Sequence, residues 1–222
     1  EEVQQDRIEI GGTIRGKTPD GREGLIPLLQ ARIDPDASPT RDGRVIVTDG
    51  QGAVWAVEIS EISPKRLARM IPDAGRRQRF IERMCGALGV DLAGVRTAQE
   101  IDSNSRPASA DLPWEDLYRA LRLIYGVARG STNRPGVIAA EIRALFGDAD
   151  GMTADGRKAP LKGVRFNGLR AQLIERLLGA KIDLATIREP MIRVFNSCSP
   201  CFVAQCKIVD DYKNAVGAQD EQ

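Results

Sequence analysis

The chain contains no histidine. That removes a Ser-His-Asp triad, a Cys-His pair, and histidine-ligated zinc or haem. Any metal must therefore be held by sulfur, oxygen or backbone groups. Cysteine is scarce as well, with four in 222 residues. That is too few for a disulfide scaffold, so free thiols or a metal in a reducing cytoplasm are expected. Excess charge is missing too. The net charge is +1, whereas a dedicated nucleic-acid binder carries a strongly basic footprint. No run approaches the ~18 apolar residues of a membrane span. No signal peptide is visible, although the chain begins at Glu1 and can have been trimmed.

What is present is enough hydrophobic residue, 42%, to build a sizeable core. Residues 7–15 and 25–33 pattern as strands, with Pro27 marking an edge or a strand start. Residues 44–48 and 54–59 flank Asp49-Gly50-Gln51-Gly52, a hairpin turn signal. Helices follow. Ser63-Pro64 supplies an N-cap and a proline at the first helical position. Asp73 can cap a helix whose apolar face is Phe80, Ile81, Met84, Cys85 and Leu88. Arg76, Arg77, Arg79 and Arg83 crowd its first half, and the first three suggest a docking or solvated face.

Further on, Trp114, Leu117, Tyr118, Leu121, Ile124 and Tyr125 form a stripe that ends before Gly130. Residues 137–146 form another helix, 148–163 a long loop, and Asn167 opens a helix that Gly179 ends. No internal repeat is visible. The expected fold class is α+β. It is read as one domain, 1–222, β-rich over 1–60 and helical over 61–222, with a polar stretch at 102–113 where the chain could divide.

Three cysteines, Cys198, Cys201 and Cys206, lie within nine residues near the C-terminus, and Cys85 lies far upstream. Spacing alone leaves several readings open. They are a mononuclear iron site, an iron–sulfur cluster with Cys85 as fourth ligand, a zinc site, a redox pair, or simply buried thiols. Arg83 and Arg193 flank the cysteine segments. A positive charge there would lower a thiol pKa and favour the metal-binding thiolate.

Arg83-Met84-Cys85-Gly86-Ala87-Leu88, followed by Leu92-Ala93-Gly94-Val95-Arg96, resembles the first metal motif of nickel–iron hydrogenase large subunits. Ile192-Arg193-Val194-Phe195, running into Cys198 and Cys201, resembles the second. Arg7-Ile8-Glu9 is similar to the family's N-terminal Arg-Ile-Glu. The matches come in the family's order and bracket most of the chain. Departures accompany them. Leu88 stands where the family has a bridging cysteine, Asn196-Ser197 where it has Asp-Pro, and Ala204 where it has histidine.

An eroded motif set of this kind resembles the accessory paralogues of the large subunit, the HupK/HoxV type. The resemblance implies a reduced large-subunit-like fold and a scaffold rather than an enzyme. Such a scaffold would carry the iron–dicyanide–carbonyl fragment, Fe(CN)2CO, on Cys85, Cys198 and Cys201, with Cys206 as a further candidate ligand. Arg83 and Arg193 would be hydrogen-bond donors to its cyanides. Implied partners are a hydrogenase maturation chaperone complex and a large-subunit precursor, with no nucleic acid and no membrane. The alternatives are a reduced hydrogenase-like metal oxidoreductase and an iron–sulfur or zinc structural module.

Overall fold

Alternation of apolar and polar residues over short segments makes the first part of the chain a sheet. The computed structural model describes residues 12–88, 113–148, 150–161, 167–196 and 207–220. The chain separates into two compact units, Glu1–Gly89 and Val90–Gln222.

In the first unit five strands, β1 (Thr13–Lys17), β2 (Glu23–Pro27), β3 (Arg32–Ile33), β4 (Arg44–Thr48) and β5 (Val54–Glu58), form one sheet. Their order is β2-β1-β5-β4-β3, with every pair antiparallel. β2 is an edge strand and Pro27 closes it, as the missing N–H of proline requires. The expected strand at 25–33 is split into β2 and β3. Turn bonds from Gln30 N–H to Pro27 C=O (3.0 Å) and from Ala31 N–H to Leu28 C=O (3.3 Å) separate the two. Residues 1–11 lie outside the described residues, so the expected strand at 7–15 is seen only from Thr13.

One turn recurs through the molecule. At 18–22, Thr18 N–H donates to Arg22 C=O and Gly21 N–H to Thr18 C=O, both at 2.9 Å. Arg22 N–H then donates to Thr18 Oγ1 at 3.1 Å. The same bonds close 40–44 and 153–157. All three segments read Thr-x-Asp-Gly-Arg, so a five-residue repeat is present after all. At 49–53 and 148–152 an Asp Oδ1 replaces the threonine oxygen, accepting from Ala53 N–H at 2.9 Å and Met152 N–H at 3.0 Å. The fourth residue is glycine with positive φ in each case: Gly21, Gly43, Gly52, Gly151 and Gly156. This is the hairpin loop that needs a left-handed residue before the returning strand.

The buried face of the sheet carries Ile14, Ile26, Val45, Val47 and Val57. Gly16 and Gly24 face each other across β1 and β2; the Trp55 indole packs over Gly24, and Ile26 and Val57 close over Gly16. A Cβ on Gly24 would lie 2.8 Å from the ring. The ring cannot slide freely, because its Nε1–H donates to Asp49 Oδ2 at 2.9 Å. That bond, the leading cause, holds the Asp49 carboxyl below its usual pKa range. Two helices complete the unit, α1 (Pro64–Met70) and α2 (Ala74–Leu88). Ser63 Oγ accepts from Arg66 N–H at 3.3 Å and Asp73 Oδ1 from Arg76 N–H at 2.7 Å, the expected caps.

The second unit is helical: α3 (Trp114–Arg129), α4 (Pro135–Phe146), α5 (Asn167–Leu178), α6 (Arg188–Asn196) and α7 (Lys207–Asp220). α3 packs on α4 and α5, α5 on α7, and α4 on α6. The expected stripe of α3 is its buried face, and Gly130 ends the helix in the left-handed region. Residues 148–161, read from sequence as a loop, hold two consecutive turns of the repeated kind and a bridge between Met152 and Lys158. Leu161 N–H donates to Leu145 C=O at 3.0 Å, tying this hairpin back to α4. No described helix is long and apolar enough to cross a membrane.

Gly24→Ala is expected to destabilise the first unit by about 1–3 kcal/mol through overpacking. Combined with Trp55→Leu, the loss should be clearly less than additive, because the clash is with the ring. Urea denaturation of the single and double variants measures both.

Candidate functional site

Cys85 sits where the helical period puts it, on the apolar face of α2 with Phe80, Ile81 and Met84. It is 1% exposed. Burial pushes its thiol up to about 12, and the Glu82 carboxylate adds to the rise. Arg83, two positions away, is exposed. The expectation that a neighbouring arginine lowers this thiol's pKa is therefore reversed. The apolar surroundings of Cys85 set it, while the Arg83 charge stands in solvent. In the metal-free protein Cys85 is a neutral packed thiol. Gly86 is exposed, and Leu88, at the end of α2, is half-buried.

Arg193 lies in the last turn of α6, beside the buried Val194. Its Nη2 donates to Glu189 Oε1, four residues earlier. Glu189 Oε2 in turn accepts from Arg143 Nη2 of α4 at 3.1 Å. Held between two guanidiniums, chiefly by the bond from Arg193, the Glu189 carboxyl falls below its usual range. The clamp anchors one edge of Arg193. Its Nε and Nη1 are shielded from water and donate to nothing among the described residues. Unsatisfied buried donors are costly, so such a pair calls for an acceptor.

Cys198, Cys201 and Cys206 lie outside the described residues, as do Arg7, Ile8 and Glu9. Of the proposed ligand set only Cys85 is described, and among the described residues no three His, Cys, Asp or Glu side chains gather to hold a metal. The fit to an iron–cyanide fragment therefore rests on Arg193. Nε–H and Nη1–H lie on different sides of the guanidinium, so each suits the lone pair of a separate acceptor such as a cyanide nitrogen. The sequence pass named Arg193 but missed Glu189, which positions it. The signal was available, since an acid four residues before a base on a helix is a recognisable pair.

Two open grooves lie elsewhere. One, of about 600 Å³, is in the first unit and is lined by Arg32, Asp34, Met70, Asp73 and Arg76 among others. The other, of about 640 Å³, is in the second unit at the C-terminal ends of α3 and α5, beside Arg129, Glu175, Arg176 and Lys181. Cations at helix C-termini are ordinary complements of the helix dipole.

No family model matches the chain, and neither a curated protein nor a solved structure matches it.

In metal-free protein at about pH 8, Cys85 should resist iodoacetamide until the chain is unfolded, as peptide mapping by mass spectrometry would show. A thiol raised from 9.0 to about 12 binds its proton more tightly in the folded state. Its contribution to stability is complete below pH 9 and is lost as pH rises through that interval. The stability gap between wild type and Cys85→Ala should therefore narrow from pH 9 upward in urea titrations.

Proposed function

We propose that the chain is a non-catalytic scaffold that carries the iron–dicyanide–carbonyl fragment as cargo in nickel–iron hydrogenase maturation. The observation that carries this reading is the pair of buried, unpaired donors of Arg193, Nε and Nη1. It stands five residues before Cys198 in the segment that resembles the second hydrogenase motif. Cys198 and Cys201 supply thiolates to the iron, since soft sulfur ligands suit it. Cys85 is the further thiolate that the resemblance implies, and Cys206 is a spare one. Arg193 orients the cargo by donating to a cyanide nitrogen while Glu189 holds the guanidinium in place. Arg83, exposed on α2, enters the site only through the resemblance.

Leu88 stands at the bridging position and has no lone pair to give. Iron would be held by fewer bonds than in the enzyme, which suits a carrier that must release it. The cargo would come from a maturation chaperone complex in the cytoplasm and pass to a large-subunit precursor. A hydrogenase-like oxidoreductase is disfavoured by the same leucine. The burial of Cys85 supports a second reading, in which Cys198, Cys201 and Cys206 form an iron–sulfur or zinc structural module without it.

Protein made alongside the hydrogenase maturation factors and purified without oxygen should show infrared bands of iron-bound cyanide and carbonyl. Cys201→Ser should abolish them. Arg193→Ala should keep them but shift the cyanide bands more than the carbonyl band. Bands that survive combined substitution of Cys85, Cys198 and Cys201 would show the site to be misassigned. Stoichiometric zinc, or acid-labile sulfide equal to iron, retained in Cys85→Ala would establish the second reading.

A further inference from the structure

Arg76, Arg79 and Arg83 are exposed and stand at i, i+3 and i+7 of α2, one stripe of the helix. The stripe continues to Gly86 at i+10. None of the three guanidiniums has an acceptor among the described residues. Most other cations of this unit are matched. Lys17 pairs with Glu23 at 2.9 Å, Arg22 with Asp20 at 2.7 Å and Arg44 with Glu58 at 3.3 Å. Arg66 and Arg77 donate to the carbonyls of Glu61 and Ile71 at 2.7 and 2.8 Å. Glu82, the acid nearest the stripe, accepts from Gln78 Nε2 at 3.1 Å.

Two costs therefore fall on one helix face. Like charges three and four residues apart repel. Gly86 weakens a helix interior, yet a Cβ there would meet nothing within 4 Å. Among the described residues no packing requires that glycine, and none accepts a hydrogen bond from the three guanidiniums, although Arg76 shares a groove with Asp34 and Asp73. Local rules broken together in this way mark a surface made for something outside the unit.

We propose that this face of α2 docks an acidic α-helix of a partner protein, with carboxylates paired to Arg76, Arg79 and Arg83 and the partner's backbone close over Gly86. Arginine offers a planar fork that matches a carboxylate with two bonds. The stripe runs ~10.5 Å along the axis, at the helical rise of ~1.5 Å per residue. A facing helix with acids three and four residues apart presents carboxylates at the same interval. Glycine admits close backbone approach. A nucleic acid fits less well, because the chain's net charge is only +1. The surface shares only Arg83 with the proposed cargo site, so binding at Arg76 and Arg79 can be tested whatever the cysteines hold.

The test uses full-length protein and a fluorescein-labelled helical peptide with glutamates at i, i+4 and i+7. Its controls are a scrambled peptide of equal charge and a short DNA duplex. Anisotropy at low salt should show binding of the patterned peptide over both controls. The combined Arg76→Glu, Arg79→Glu and Arg83→Glu variant should bind it about tenfold or more weakly, and a peptide with lysines in place of its glutamates should restore binding to that variant. The triple glutamine variant, checked for folding by circular dichroism, should show the same loss. Gly86→Ala should raise Tm and yet weaken binding. The proposal is overturned if the patterned peptide does not bind, if the scrambled peptide or the duplex binds as tightly, or if the variants bind unchanged.

Discussion

A side-chain oxygen of Thr or Asp accepts the N–H of the residue four places on, and a glycine with positive φ lets the chain turn back. This arrangement closes five turns. In the first unit it joins β1 to β2 and β4 to β5, and once the turn closes, the pairing of Lys17 with Glu23 and of Thr48 with Val54 follows. A slip of one residue would move Ile14, Ile26, Val45 and Val47 from the buried face to solvent. The bonds are local, but what they protect is the hydrophobic face of the sheet. Asp49 serves twice, closing its turn and holding the Trp55 indole over Gly24.

Polar groups are treated very differently along the chain, and that contrast directs attention to function. Most cations of the first unit find an acid or a carbonyl nearby. The arginines on one face of α2 do not, nor do Nε and Nη1 of Arg193 on α6. The first group stands in water, where its like charges three and four residues apart repel. The second is shielded, and a shielded donor without an acceptor is hard to keep for nothing. Glu189, which also accepts from Arg143, takes the Nη2 of that guanidinium and leaves Nε and Nη1 without acceptors among the described residues. The two features differ in kind, one being a charged face for a macromolecule and the other a pair of directed donors for a small acceptor.

Cys85 shows how burial can override a motif. In sequence it stands beside Arg83 and Gly86, a setting that suggests a reactive thiolate. In three dimensions the helical period turns it into the core and turns Arg83 outward. Desolvation and Glu82 then raise its pKa, so the thiol is quiet unless a metal draws off its proton.

Much of the fold was legible from the residues alone. Caps at Ser63 and Asp73, the Asp49 hairpin, the stripe of α3 and the stop at Gly130 are short-range patterns, and short-range physics decides them. The α+β class followed from their order. The repeated turn is equally local, and its Thr-x-Asp-Gly-Arg form stands in the sequence at 18–22, 40–44 and 153–157. The division of residues 25–33 into two strands depended on turn bonds that composition does not reveal. The unsatisfied donors of Arg193 were beyond the sequence altogether. Whether a donor is buried, and whether an acceptor lies within reach, is fixed by atoms brought together from distant parts of the chain. The residue types and their periodicity decided which elements form and which face of each is apolar, and tertiary packing alone decided which polar groups were left without partners.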